Sequence, residues 1–166
     1  RDRVSRERVG IEVDKMLSGR DPRYALQLLA QLQLYWVVFM PPPALSQRMG
    51  RSSDHGAHID ELVHDAPDER AALSLSDCFD SLLRGTSPLW SRLPTDWLAR
   101  VRSPDWRAQR RLVWYAIALY PLRDLYVQAK KQPAWAGAVT LSAGLKLGHR
   151  TTTDPVLSLV RAASLL

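Results

Sequence analysis

At 166 residues, with 46% hydrophobic and 24% charged side chains, the chain is long enough to bury a real core and too apolar for wholesale disorder. Its formal net charge of +6 and pI near 9.9 point toward an acidic partner such as nucleic acid. The single cysteine, Cys78, excludes an internal disulfide and a cysteine-built zinc site and reads as a small core residue or a reduced thiol, and no apolar run reaches the roughly 18 residues of a membrane span.

Leu, Ala and Arg are abundant and no alternating Val/Ile/Thr run is sustained, so an all-α fold is expected: a helical hairpin followed by an irregular helical body. Ser5 is placed to cap a first helix whose apolar residues Val9, Val13, Met16 and Leu17 share one face, with Val4 as a hydrophobic staple on Val9. The other face carries Glu7, Arg8, Glu12, Asp14 and Lys15, a pattern that simple solvation also explains. Gly19 is the expected stop, and Asp21-Pro22 opens a second helix with Ala25, Leu28, Leu29 and Leu32 inward, completing an antiparallel hairpin. Leu34 to Phe39 is an apolar landing strip. Pro41-Pro42-Pro43 closes it and marks a boundary between residues 1–43 and 44–166.

Ala44 to His58 is polar and rich in Gly and Ser, which predicts an exposed loop. Helices are expected next around Ile59, Leu62 and Val63 and from Leu73 to Leu83, the latter closing at Gly85. Leu89-Trp90 and Trp97-Leu98 are expected core contacts, and the six tryptophans in general are assigned to the core rather than to base stacking. Ser103-Pro104-Asp105 starts the clearest helix of the second half, with Trp106, Leu112, Val113, Ala116, Ile117 and Tyr120 on its apolar face. Ala134 to Leu147 reads as helix interrupted by Gly137 and Gly144, and Asp154-Pro155 opens a final helix with Val156, Leu159, Val160 and Ala163 inward. The chain has no initiating Met and is expected to be a fragment or a processed piece.

The order Ser5-Arg6-Glu7-Arg8-Val9-Gly10-Ile11-Glu12-Val13-Asp14-Lys15-Met16-Leu17, followed by Gly19, Asp21-Pro22, Ala25-Leu26 and Leu34-Tyr35 with Val38-Phe39, resembles the neck of tRNA nucleotidyltransferases. These are the class II CCA-adding enzymes of eukaryotic type, and the stretch looks like their fifth conserved motif, motif E. The resemblance runs from about Val4 to Pro43; beyond it only helical character and aromatic placement look similar. It implies a neck at 1–43 and a body at 44–166 that reaches the start of a tail and is incomplete at its C-terminus.

It also implies that Ser5, Glu7, Arg8, Glu12 and Lys15 brace the nucleotide-template helix of a head domain. In that role Arg8 would donate a forked pair of hydrogen bonds, with Glu12 orienting it from one turn below. Enzymes of this family add CCA to tRNA 3′ ends from CTP and ATP, with two metal ions on head-domain carboxylates. No Gly-Ser loop with Asp-x-Asp and no Glu-Asp-x-x-Arg template occurs here. The chain is therefore expected to bind no cofactor itself and to be inactive alone. Mg2+ is expected in a head domain supplied in cis or in trans, and the compartment (nucleus, cytosol or mitochondrion) is left open.

Charge is distributed unevenly: residues 54–80 hold eight acids against one arginine, and residues 81–166 hold thirteen Lys or Arg against four acids. Phosphate contacts dominate affinity for nucleic acid, so the second half is the expected RNA-facing part. The candidate contacts are Arg107, Arg110 and Arg111 on one helix, Lys130 and Lys131 before Pro133, and Lys146 and Arg150 on a loop. A tRNA or other structured RNA is the expected partner, with other ribonucleoprotein subunits alongside and no membrane. His58, His64 and Asp65 lack the spacing of a metal phosphohydrolase and read as surface side chains. Two competing readings stay open: a non-catalytic RNA-binding or scaffold subunit of a ribonucleoprotein derived from the enzyme, and a protein-binding helical adaptor.

Overall fold

The first helix begins where its cap predicts. Ser5 Oγ accepts from the Arg8 amide at 3.3 Å, and α1 runs over Arg6–Leu17. A computed structural model describes residues 4–51, 59, 61–62, 67–128 and 132–164. The expected Val4 staple is loose, since Val4 stays 72% exposed. Helix α2 (Pro22–Gln31) starts on Asp21, whose Oδ1 accepts from the Tyr24 amide at 3.0 Å. Its buried face is Ala25, Leu26 and Leu29, and Leu32 points to solvent. The inward face is thus rotated from the expected one, because α2 packs on α5 (Arg70–Arg84) as well as on α1.

In α3 (Tyr35–Phe39) the residues Tyr35, Val38 and Phe39 are buried, whereas Leu34 and Val37 are exposed. The Tyr35 hydroxyl donates to the Ala118 carbonyl at 2.7 Å, and Trp36 Nε1 donates to Glu69 at 2.8 Å. A short α4 (Pro43–Ser46) follows the prolines.

The stretch expected as exposed loop instead continues into β1 (Met49–Arg51), with Met49 and Gly50 buried. The helix expected around Ile59 and Leu62 is also corrected: Glu61–Leu62 is β2, paired antiparallel to β1, and Val63 lies outside the described residues. With β3 (Leu125–Val127) and β4 (Ala134–Trp135) these strands form a small antiparallel sheet in the order β2-β1-β3-β4. Met49 faces Val127 in the register, and Tyr126 faces Trp135. The architecture remains predominantly helical, with strands of two or three residues that tie the end of the N-terminal segment to the second half.

Helices α6 (Thr95–Arg102) and α7 (Arg107–Leu119) carry the rest of the frame. Every residue of α7 from Trp114 to Leu119 is buried, because α1, α5 and α9 (Asp154–Ser164) pack around it. The Phe79 and Trp114 rings meet edge to face at 5.0 Å, locking α5 to α7. Leu98 is buried as expected, but Leu89 and Trp97 are surface residues; the side chain of Trp90 lies outside the described residues. Cys78 is exposed rather than in the core. After β4, α8 (Ala136–Val139) runs into a π-helical turn at Thr140–Gly144, and a second such turn at His149–Thr153 precedes α9. In α9, Val156 and Val160 face inward, whereas Leu159 and Ala163 do not.

One apolar core includes Val13 and Leu17 of α1, Leu26, Phe39, Met49, Trp114, Leu141 and Val160. Gly10 is where α1 touches the far end of the chain: a Cβ built there would lie 1.9 Å from the Leu145 carbonyl oxygen. The glycine of the motif is required by that close approach.

Candidate nucleic-acid interface

Three helices end at one place. Arg107 Nη2 donates to the Ser18 carbonyl just past α1 at 3.0 Å, and Arg102 Nε donates to the Leu83 carbonyl near the end of α5 at 2.7 Å. Arg110 Nη1 donates to Val101 and Ser103 at the end of α6, at 2.7 and 2.8 Å. Unsatisfied carbonyls at helix C-termini carry partial negative charge, and cationic donors there satisfy and neutralise them.

These contacts also bring the guanidinium groups together around a cleft of about 980 Å³. Arg20, Arg84, Arg102, Arg107, Arg110 and Arg111 line it, with Asp21 and Asp80 as the acidic members. Six arginines against two aspartates leave the cleft positive even after three helix ends contribute roughly half a negative charge each. Arg84 holds Asp80 at 2.7 Å and Asp21 at 3.4 Å, and its pKa is raised first by the hydrogen bond to Asp80.

Arg111 adds a different link. Its Nη1 sits 2.6 Å from Asp14 Oδ1 on α1, and the Tyr115 hydroxyl donates to the same oxygen at 3.1 Å. Burial first, and Asp14 second, push the Tyr115 pKa up. Arg107, Arg110 and Arg111 are each held along one edge by the protein and keep further N–H donors for a ligand. Side chains ordered in advance lose less entropy when a phosphate arrives.

The structure therefore assembles three of the expected RNA contacts, Arg107, Arg110 and Arg111, and adds Arg20, Arg84 and Arg102. Lys146 does not line the cleft: it is exposed, with a left-handed backbone (φ 57°), beside the Leu145 that meets Gly10. Lys130 and Lys131 lie outside the described residues, as does the side chain of Arg150. The same holds for His58, His64 and Asp65. Among the described residues no group of three His, Cys, Asp or Glu side chains could hold a metal ion. No helix among them is long and apolar enough to cross a membrane.

Two of the motif residues, Arg8 and Glu12, border a second feature, an apolar groove of about 500 Å³ lined also by Val4, Val9, Ile11, Val13, Leu29 and Val38; Ser5, Glu7 and Lys15 do not line it. Glu12 pairs with Lys15 at 2.8 Å and not with Arg8, which corrects the expected orientation of Arg8 by Glu12. The i,i+3 partner in the following turn competes successfully for the carboxylate. The Arg8 side chain is exposed and makes no hydrogen bond among the described residues, and Glu7 adds a negative charge to the first turn.

The fold and the cleft define a helical region with a basic face suited to a polyanion. Residues 2–48 match a family model described as a probable RNA and SrmB-binding site of polymerase A. The match supports a nucleotidyltransferase-related RNA-binding region and is not specific to CCA-adding enzymes. No curated protein and no solved structure gives a match.

Proposed function

We propose that the chain is the tRNA-binding and template-bracing part of a CCA-adding tRNA nucleotidyltransferase. The observation that carries the RNA half of this reading is the arginine cleft, built where the segment similar to the polymerase A RNA-binding site meets α5 and α7. Phosphates would sit against guanidinium edges already aligned by helix carbonyls, which reads backbone shape rather than sequence.

The bracing half rests on the other side of α1. There Arg8, with its side-chain donors uncommitted, stands at the rim of an apolar groove, with Ile11 48% exposed beside it. A head-domain helix laid in the groove would bury those apolar side chains and offer Arg8 a carbonyl or carboxylate. Ser5 serves this face by fixing where α1 starts, and Lys15 by engaging Glu12. Nucleotide addition would come from the head domain and its Mg2+. A second reading, an RNA-binding scaffold subunit derived from the enzyme, rests on the same arginine cleft and needs no head domain.

The test is fluorescence anisotropy with a tRNA lacking its CCA end. Four phosphate contacts would weaken binding about a hundredfold between roughly 50 and 200 mM salt, and replacing Arg107 and Arg110 by Ala would flatten the slope by about two contacts. A folded chain that binds no tRNA at low salt would overturn both readings. Incorporation of CTP and ATP on adding a head domain favours the first, and binding that never supports incorporation favours the second.

A further inference from the structure

Helix α6 forms one wall beside the cleft and has two dissimilar faces. Leu98 and Val101 are buried, and Trp97 and Arg100, three residues apart and so neighbours on the helix surface, point outward. Trp97 is 40% exposed although it closes a crevice with Phe79, Leu82, Leu83 and Arg102. Leu83 and Arg102 also line the arginine cleft, so the indole stands at the edge of the basic surface. Trp97 is thus partly packed on apolar side chains and partly open, in a crevice that Arg102 also lines.

Resting on the RNA-binding reading above, we infer that the cleft and Trp97 form a subsite for a short unpaired stretch of RNA. Its phosphates lie along Arg102, Arg107 and Arg110, and one base stacks on Trp97. A positive groove next to an aromatic ring is the arrangement by which proteins hold single strands, since every base has a face to stack and paired bases hide theirs. The cleft, about 980 Å³, has room for a few nucleotides. Asp21 and Asp80 do not oppose this, because Arg84 engages both.

The experiment compares a fluorescein-labelled single-stranded RNA octamer with its duplex on the wild-type chain, on Trp97→Ala and on Trp97→Phe. The single strand is expected to bind more tightly than the duplex and to compete with tRNA. Trp97→Ala should weaken it about tenfold with an unchanged salt slope, and Trp97→Phe should restore most of the loss. Should Trp97→Ala fail to fold, a 4-thiouridine octamer cross-linked to the wild-type chain gives the answer: attachment within residues 95–102 supports the subsite, and attachment elsewhere overturns it. Equal affinity for duplex and single strand, or a folded Trp97→Ala that binds like wild type, also overturns it. If tRNA still binds in those cases, only this inference falls; if no RNA binds at low salt, the broader reading falls with it.

Discussion

Up to Glu12, α1 borders an apolar groove and carries an uncommitted Arg8 and a local Glu12–Lys15 pair; from Asp14 to its cap Ser18 the same helix is bonded to α7. The two halves carry similar residue types. The partner of Glu12 is three residues away on the same helix, whereas the partner of Asp14 is 97 residues away. Side-chain exposure follows: 65% for Glu12 and 33% for Asp14. A charged helical face can thus be a solvated surface over one turn and a tertiary joint over the next. The joint sets the register of α1 against the arginine cleft and leaves the groove open to solvent.

The sharpest way to break this comparison is at Gly10, where the two halves meet. The Cβ of Gly10→Ala would meet the Leu145 carbonyl oxygen at 1.9 Å and its carbon at 2.9 Å, and backbone atoms cannot swing aside. Overpacking of this kind costs about 3 kcal/mol. For a chain of this size that lowers Tm by about 6–12 °C, readable in a thermal melt. A melt within a degree of wild type would mean that α1 does not pack on Leu145 as closely as described.

The tied half has a pH signature. Burial pushes the hydroxyls of Tyr35 and Tyr115 up from their ordinary value near 10, with Glu69 adding to the first and Asp14 to the second. Below about pH 10 both states hold these protons and stability is unaffected. Above it the unfolded chain releases protons that the folded chain retains, so stability falls by about 1.4 kcal/mol per pH unit for each tyrosine. Urea melts from pH 9 to 11 should show this decline, and Tyr115→Phe should remove its share. A flat profile would contradict the burial of both hydroxyls.

What the sequence made legible is what is local. The Ser5 and Asp21 caps and the Gly85 stop each involve residues within a few positions, and Gly85 has the left-handed backbone (φ 74°) that favours glycine. The sheet was illegible because strands of two or three residues show no period, and β1, hidden in a polar stretch, pairs on one side with β3, more than seventy residues on. The cleft was half legible. Arg107, Arg110 and Arg111 announce themselves as a cluster on one helix. Arg20, Arg84 and Arg102 sit singly at three helix ends and converge only through packing, and nothing in their neighbours distinguishes them from surface charges. Trp97 was misassigned for a related reason: hydrophobicity places an indole inside, but α6 buries only the stripe of Leu98 and Val101.

The smallest expected effect gives the finest test of the contrast. Glu12 and Lys15 form an exposed pair, and such pairs contribute a few tenths of a kcal/mol at most. Glu12→Gln should therefore leave the urea midpoint of this chain unchanged within error. If α1 is a docking face on which a head-domain cation pairs with the Glu12 carboxylate, the same substitution should matter once a head domain is present, because that cation would then be desolvated without a partner. Comparing head-domain affinity for wild type and Glu12→Gln by titration calorimetry separates the two roles. Equal affinity would reduce Glu12 to a surface charge and leave the bracing role to Arg8. A weaker complex with an unchanged midpoint would show that the solvated half of α1 is kept for a partner, while the half from Asp14 onward is kept for the fold.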